Sequence, residues 1–372
     1  MKKILGYQRP DGQVGIRNHI ALVYTNDCAK VTARHVAAIA PNTHVFGWPH
    51  GCHWSQDAFN KLVALCSHPN VGGAVIFGIG CERIRAADVA AQVAKTGKPT
   101  GWVNIEEGGG TIKAIEAGLR HVLRITREAS DAPRVELAPQ DLILAVDCAA
   151  SDSTSGLASN PATGVAVDFH VDRGAITYFL DVPEELIGCG DCLAARACSH
   201  TVAAELRKVA SVAPDDPKIK PPYGNIRGGI TTFREKAAGA LAKSGTRPIQ
   251  GVITDFTRPT KGGLYLVSAP PDAWTNDSDP QCVQIMAACG AHLVVETTGC
   301  GTVTGGVVAP VIKVCANPDT CAREPDNIDV DISGIIKGEM SIVDAGQIIY
   351  DEVMAVAAGR LTHAEILGHF ED

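Results

Sequence analysis

Short apolar, β-branched runs recur along the chain, each emptying into a loop of Gly, Asp, Ser or Cys and alternating with Ala-rich stretches of helical spacing. The clearest runs are 20–24, 74–77, 142–146, 251–254 and 292–295, with helical patterns at 34–39, 86–95, 111–124 and 203–209. Strand, loop, helix, strand predicts α/β layers around largely parallel sheets. We read two Rossmann-like α/β domains, residues 1–128 and 142–372, with the functional site in the cleft between them. The polar segment 127–141 reads as the linker, and 211–224, with four prolines, as an irregular excursion.

Composition narrows the function classes. With 33 Lys and Arg against 41 Asp and Glu, the net charge of −8 excludes the basic footprint that phosphate neutralisation needs. No apolar run reaches the ~18 residues of a membrane helix, and the first residues lack a signal peptide's apolar stretch. The expectation is a cytoplasmic protein whose 13 cysteines are thiols serving packing, metal binding or catalysis. Cys66, Cys282, Cys315 and Cys321 read as packing residues.

In a parallel sheet, ligands gather beyond the carboxyl ends of the strands. The loops there read TNDC ending at Cys28, PHGCH around His50 and Cys52, GIGCE from Gly78 to Glu82, DCAASD from Asp147 to Asp152, and ETTGCG from Glu296 to Gly301. Convergent His, Cys, Asp and Glu suit a divalent metal or an activated thiol. The group Cys189-x2-Cys192-x5-Cys198-Ser199-His200 crowds its last two candidate ligands too closely for a standard zinc site, and reads instead as a Cys-rich loop leading into a helix. Arg9 and Arg17, flanking Gly turns before the first parallel strand, either fork onto a carboxylate or decorate a surface hairpin. The Gly-rich turn before Thr111 opens a helix whose free N–H groups could hold an anion. Segment 151–164 reads as a hydroxyl-rich loop able to grip a polar ligand, and Lys313, amid apolar neighbours, as either a desolvated base or an edge-strand lysine.

Taken in order, GYQRPDGQVGIRN, HGC, GIGCE, EEGGGT, CAASDSTSGLASNPATG, GNIRGGITTFREKAAG, ETTGCGTVTG and PVIKVCAN resemble the altronate and galactarate dehydratase family from Gly6 to about Gly338. The resemblance implies a metal-dependent lyase of small hydroxy acids, with sugar-acid dehydratases and a sulfolactate sulfo-lyase among the members. It also implies a separate small β-clip (SAF) subunit, so a heteromer or a homodimer is expected. The chain departs from the family pattern at Ala149-Ala150 for Gly-Gly and at Cys300 for Arg, and the last Glu of the family's acid pair, sited in the 181–190 segment, falls on Gly190, or on Asp191 if the loop is one residue longer.

For such a lyase, a divalent ion, Fe2+ or Mn2+, would stabilise the enediolate formed when the proton α to the carboxylate leaves. The expected metal set is Cys52, Glu82 and Glu185, with His50, Asp152 and Lys313 catalytic, Lys313 being the base. The substrate grips are Arg17, Asn18, Ser153, Asn160, Thr298 and Gly299. Hydroxide needs an acid as it departs, whereas sulfite does not. Two alternatives stand beside this reading. One is an iron–sulfur hydro-lyase using Cys28, Cys52, Cys81, Cys148 and Cys300; the other is a non-catalytic partner subunit with eroded motifs.

Overall fold

The computed structural model describes residues 3–371 apart from 181, 214, 215, 217, 219 and 275–277. Its strands are β1 Ile4–Gln8, β2 Val14–Gly15, β3 His19–Tyr24, β4 Thr43–Gly47, β5 Val71–Gly78, β6 Thr100–Asn104 and β7 Arg134–Leu137, followed by β8 Ile143–Ala149 and β9 Ile176–Leu180. The last five are β10 Ile249–Ile253, β11 Gly263–Val267, β12 Leu293–Thr298, β13 Val311–Cys315 and β14 Val330–Asp331. They form a four-stranded sheet ordered β4-β3-β5-β6 and a seven-stranded sheet ordered β10-β11-β9-β8-β12-β13-β14. Every pairing in both is parallel, as the alternation of runs predicts. The family of α/β folds read from the sequence is the one observed.

Helices cover both faces because their apolar stripes match the buried strands. Side chains at their starts satisfy the free N–H groups: Asn26 caps the helix Asp27–Ile39, Ser55 caps Gln56–Ser67, and Thr232 caps Phe233–Leu241 in a reciprocal box with Glu235. One apolar cluster runs from the four-stranded sheet through the helices Gln56–Ser67 and Asp279–Ala288 to the seven-stranded sheet, so the two blocks share a packed seam. Cys66, Cys282, Cys315 and Cys321 are buried as packing residues.

Two segments differ from expectation. The stretch 127–141 is not a free linker, since the helix Thr111–Ser130 runs into it and β7 then pairs antiparallel with β1. With β2 on the other side of β1, it makes a three-stranded sheet joining the two ends of the N-terminal block. Segment 151–164 is helical rather than a loop: a π-turn, Ser155–Ser159, runs directly into the helix Asn160–Val171, and Ala158, Ala162 and Ala166 bury one face.

Candidate active site at the carboxyl ends of β8, β12 and β13

The chain leaves β8 towards β9 on one side and later returns to place β12 on the other, so the strand order reverses between β8 and β12. A crevice opens at such a point beyond the carboxyl ends. Asp152 sits there, 4 % exposed. Its Oδ1 accepts from Thr154 Oγ1 at 2.6 Å and from the Ser155 N–H at 3.1 Å, capping the helical segment that follows. Its Oδ2 accepts from Asn317 Nδ2, 2.7 Å away, on the loop after β13.

Two glycines make room for this carboxylate. A Cβ on Gly299, just after β12, would lie 2.1 Å from Asp152 Oδ1, and one on Gly228 would lie 2.5 Å from Asp152 Cβ. Gly228 caps the short helix Tyr223–Arg227, through which the Pro-rich excursion returns over the site. Its carbonyl accepts from both the N–H and the hydroxyl of Ser153 at 2.9 Å, while Asn225 Nδ2 donates to the Ser151 carbonyl at 2.8 Å. Cys300 completes the crevice, its N–H bonded to the Ala150 carbonyl at 2.9 Å and its thiol to the Gly224 carbonyl at 3.6 Å. Burial, then the Asp152 charge, pushes that thiol's pKa up, against the pull of Arg227 and Arg323. Arg323 also reaches the Cys300 carbonyl at 2.9 Å. Both guanidinium groups are exposed at the mouth, and a π-turn beside such a group is a frequent functional marker.

Behind the crevice lies a buried charged group that sequence reasoning did not connect. Lys243 Nζ is 3.3 Å from Cys148 Sγ and 3.8 Å from Asp147 Oδ1; Glu185 is paired with Lys236 at 2.5 Å and lies 4.0 Å from Cys148 Sγ. Register aligns Asp147, Glu296 and Lys313 across β8, β12 and β13. Among the described residues neither carboxylate oxygen of Glu296 has a hydrogen-bond partner, and burial, then the Asp279 and Asp147 charges, pushes its pKa well up against the pull of Lys313.

The expected site residues separate under this geometry. Asp152, Ser153, Thr298 and Gly299 come together at the crevice, Thr298 with its hydroxyl accepting from the Gly301 N–H at 3.1 Å. Asn160 is buried beneath it, donating to the Gly239 carbonyl at 2.9 Å and accepting from the Thr297 hydroxyl, which leaves its amide holding the helix. Arg17 does fork onto a carboxylate, but that of Glu365: all five N–H groups are engaged, on Glu365, Ile16, Val356 and Arg360. Asn18 accepts from Arg9 and donates to the Ala129 carbonyl. The β1–β2 hairpin forms, yet Arg9 in its turn and Arg17 just after it are buried and engaged with neighbouring groups rather than exposed on a surface. Lys313 is interior, between β12 and β14; its ammonium donates to the Thr304 carbonyl at 3.0 Å, and burial lowers its pKa.

The metal set Cys52, Glu82 and Glu185 is not assembled. Glu82 is bound within its own block, accepting from the N–H groups of Ile79 and Gly80 and from the Thr25 hydroxyl, whereas Glu185 pairs with Lys236 in the other. His50 and Cys52 are exposed on the loop after β4. Among the described residues no group of three or more His, Cys, Asp and Glu is arranged to hold a metal ion, so these donors do not fit the expected divalent ion. Of the five cysteines of the iron–sulfur alternative, Cys148 lies against Lys243 and Cys300 against the Gly224 carbonyl, while Cys52 and Cys81, near enough that Cys52 follows desolvation and Glu106 in raising the Cys81 pKa, belong to the other block. Asp181, in the segment that resembles the family's acid pair, lies outside the described residues.

Arg227, Arg323 and Asn317 are the site residues that sequence reasoning missed. Arg227 stood within a quoted motif, GNIRGG, but nothing in its local pattern says that the excursion returns to the β8 exit.

The comparisons with known proteins agree with this architecture. Residues 139–372 match the family model described as D-galactarate/altronate dehydratase, C-terminal, and residues 6–130 match D-galactarate dehydratase/altronate hydrolase, second domain. The (2R)-sulfolactate sulfo-lyase subunit beta of Chromohalobacter salexigens is 32 % identical, the match covering all of this chain and 96 % of the relative. Altronate dehydratase of Escherichia coli is 28 % identical over 90 % of this chain and 70 % of its own length. Galactarate dehydratase (L-threo-forming) of the same species is 30 % identical over 75 % of the chain and 55 % of its own length. On the match to both blocks and across the whole chain, this protein belongs to the D-galactarate/altronate dehydratase family.

Proposed function

We propose that the protein is the large subunit of a lyase that removes a β-substituent from a small 2-hydroxy acid to give a 2-oxo acid, with its reacting centre at Asp152. The observation that carries this reading is a buried carboxylate clamped by two glycines at a switch point, with two guanidinium groups at the mouth. The substrate carboxylate docks on Arg227 and Arg323, whose planar forks suit it and also stabilise the enediolate as negative charge builds. Asp152 Oδ2, bonded among the described residues to Asn317 alone, keeps an acceptor position and takes the α-proton. Electrons from that C–H bond form the enol double bond as the β-substituent leaves with its own bonding pair, and the enol then ketonises. Each of these steps is carried by the chain's own residues, since among the described residues no group of His, Cys, Asp and Glu is arranged to hold a metal ion.

A relative of matching length is named a sulfo-lyase subunit, and this favours sulfite as the leaving group and a partner subunit, of the small β-clip kind, beside this chain. Water remains the second reading, supported by the dehydratase relatives. The test is an anaerobic screen of altronate, galactarate and sulfolactate, following 2-oxo acid and sulfite. It is run with and without the candidate small subunit, and with ferrous or manganous ion against a chelator. Sulfite release establishes a carbon–sulfur lyase, and 2-oxo acid alone a hydro-lyase; activity lost to the chelator adds a metal requirement. An Asp152→Asn variant as active as the parent removes Asp152 from the reaction.

A further inference from the structure

After β9 the chain makes a short 3-10 turn, Pro183–Leu186, and then a six-residue helix, Gly190–Ala195. Cys189 is the residue immediately before that helix and Cys192 lies in its first turn. Both are thiols, Cys189 buried and Cys192 exposed. Cys198 does not join them as a third ligand: its thiol is on the Gln250 carbonyl at 3.6 Å, and no metal-holding group of three exists among the described residues. Cβ atoms three residues apart on a helix lie about 5–6 Å from each other. A disulfide needs about 3.5–4.5 Å, so a small adjustment of one turn closes the bond.

A second observation concerns what surrounds the pair. Cys189 and Cys192 line one cavity of about 520 Å3, together with Gly188, Arg196 and Arg234. That volume is within the range of small-molecule sites. Arg196 donates to the Ser244 hydroxyl at 2.7 Å and to the carbonyls of Ser244 and Arg247, while its Nε has no partner among the described residues. Gly188, at φ +77°, brings the backbone against Arg234, so that a Cβ there would be 3.7 Å from its guanidinium nitrogen. A dithiol and two guanidinium groups around one cavity select a disulfide that carries carboxylates.

We propose that Cys189 and Cys192 are a redox-active dithiol that exchanges with small carboxylate-bearing disulfides bound at Arg196 and Arg234. The exposed Cys192 thiolate attacks one sulfur of the disulfide RSSR, forming a mixed disulfide and releasing RS⁻. Cys189 thiolate then attacks the Cys192 sulfur of that mixed disulfide, forming the Cys189–Cys192 bond and releasing a second RS⁻. The two protein thiols lose two electrons, RSSR gains them, and the two thiol protons end on the released thiolates. Because the Cys189 N–H is bonded to the Leu186 carbonyl at 3.0 Å, the switch sits directly after the turn that holds Glu185 against Lys236.

The experiment treats the full chain with oxidised glutathione and maps peptides by mass, with 2-hydroxyethyl disulfide as an uncharged probe. The parent should yield a linked Cys189–Cys192 peptide lacking two hydrogens, and Cys189→Ser should instead trap glutathione on Cys192. Cys192→Ser should yield neither. Arg234→Gln should slow the reaction with oxidised glutathione several-fold and leave the uncharged probe's rate unchanged. No linked peptide in the parent, while Cys28, Cys52 and Cys81 become modified, overturns the dithiol. Equal rates in Arg234→Gln with both probes, relative to the parent, overturn the recognition by arginine.

Discussion

Asp152 is held by three kinds of contact, each depending on one atom of a neighbour. Thr154 and Ser155 fix Oδ1, Asn317 fixes Oδ2, and the missing Cβ of Gly299 leaves space for the carboxylate. Gly299→Ala should therefore displace Asp152 or the β12 exit, and kcat should fall at least tenfold, about 1.4 kcal/mol of transition-state stabilisation, with the fold retained. Steady-state kinetics beside thermal unfolding tests this; an alanine variant of parental kcat refutes the clamp. Asp152→Asn keeps an oxygen for the helix cap but cannot accept the α-proton, and the expected loss is about 10²–10⁴-fold in kcat at little cost in Tm. Arg227→Ala should raise KM and also lower kcat, since the group holds the substrate carboxylate and meets the charge of the enediolate; kcat and KM both unchanged would remove it. The sequence singled out Asp152, Ser153, Thr298 and Gly299 because all stand at strand exits. It did not single out Arg227, Arg323 and Asn317, whose positions depend on an excursion and a third strand folding back.

At the scale of elements, the buried fork of Arg17 joins the segment between β2 and β3 to the helix His363–Leu367, 348 residues along the chain. Glu365 accepts from Arg17 and also closes the capping box with Thr362, so one carboxylate secures both a helix start and an interdomain tie. Arg17→Ala leaves that carboxylate buried without its partner and should cost about 3–5 kcal/mol, read as a lower urea midpoint. Parental stability would show the pair to be incidental. The strand runs and their parallel order were legible because buried parallel strands need continuous apolar stretches. β7 was not: Arg-Val-Glu-Leu lies beside two prolines and becomes a strand only because β1 offers it a partner. The helical start at 153 was hidden for a similar reason, since serine and threonine favour turns until Asp152 caps them and their neighbours bury against β8 and β12.

For the whole molecule, the seam between the two blocks is stitched by neutral histidines. His68 Nε2 donates to the Ala291 carbonyl at 2.9 Å while its Nδ1 accepts from the Asn70 N–H at 3.0 Å. His292 donates to the Val14 carbonyl at 3.0 Å and accepts from the Ile143 N–H at 2.9 Å, and His44 donates to the Val307 carbonyl at 2.8 Å. Protonating His68 or His292 would set one N–H against another. Burial holds all three below the ordinary histidine value, His292 at about 3, with Lys98 and Arg9 facing His68 and Arg258 and His170 facing His292. The unfolded chain thus binds more protons than the folded one once the pH falls below about 6.5, and stability is lost from there down towards pH 3. Tm should fall between pH 7 and pH 5, above the range where carboxylates titrate, and a flat Tm over that interval would contradict the seam. By itself the sequence determined the α/β class, the parallel sheets and the strand exits at which a site can form, because hydrophobic periodicity and loop chemistry are local properties. Only the tertiary structure decided which exits cooperate. It buried Arg17 and Lys313 as supports, kept Glu82 and Glu185 apart, and brought Arg227 and Arg323 to Asp152, because a side chain's role depends on neighbours that chain topology, not sequence spacing, supplies.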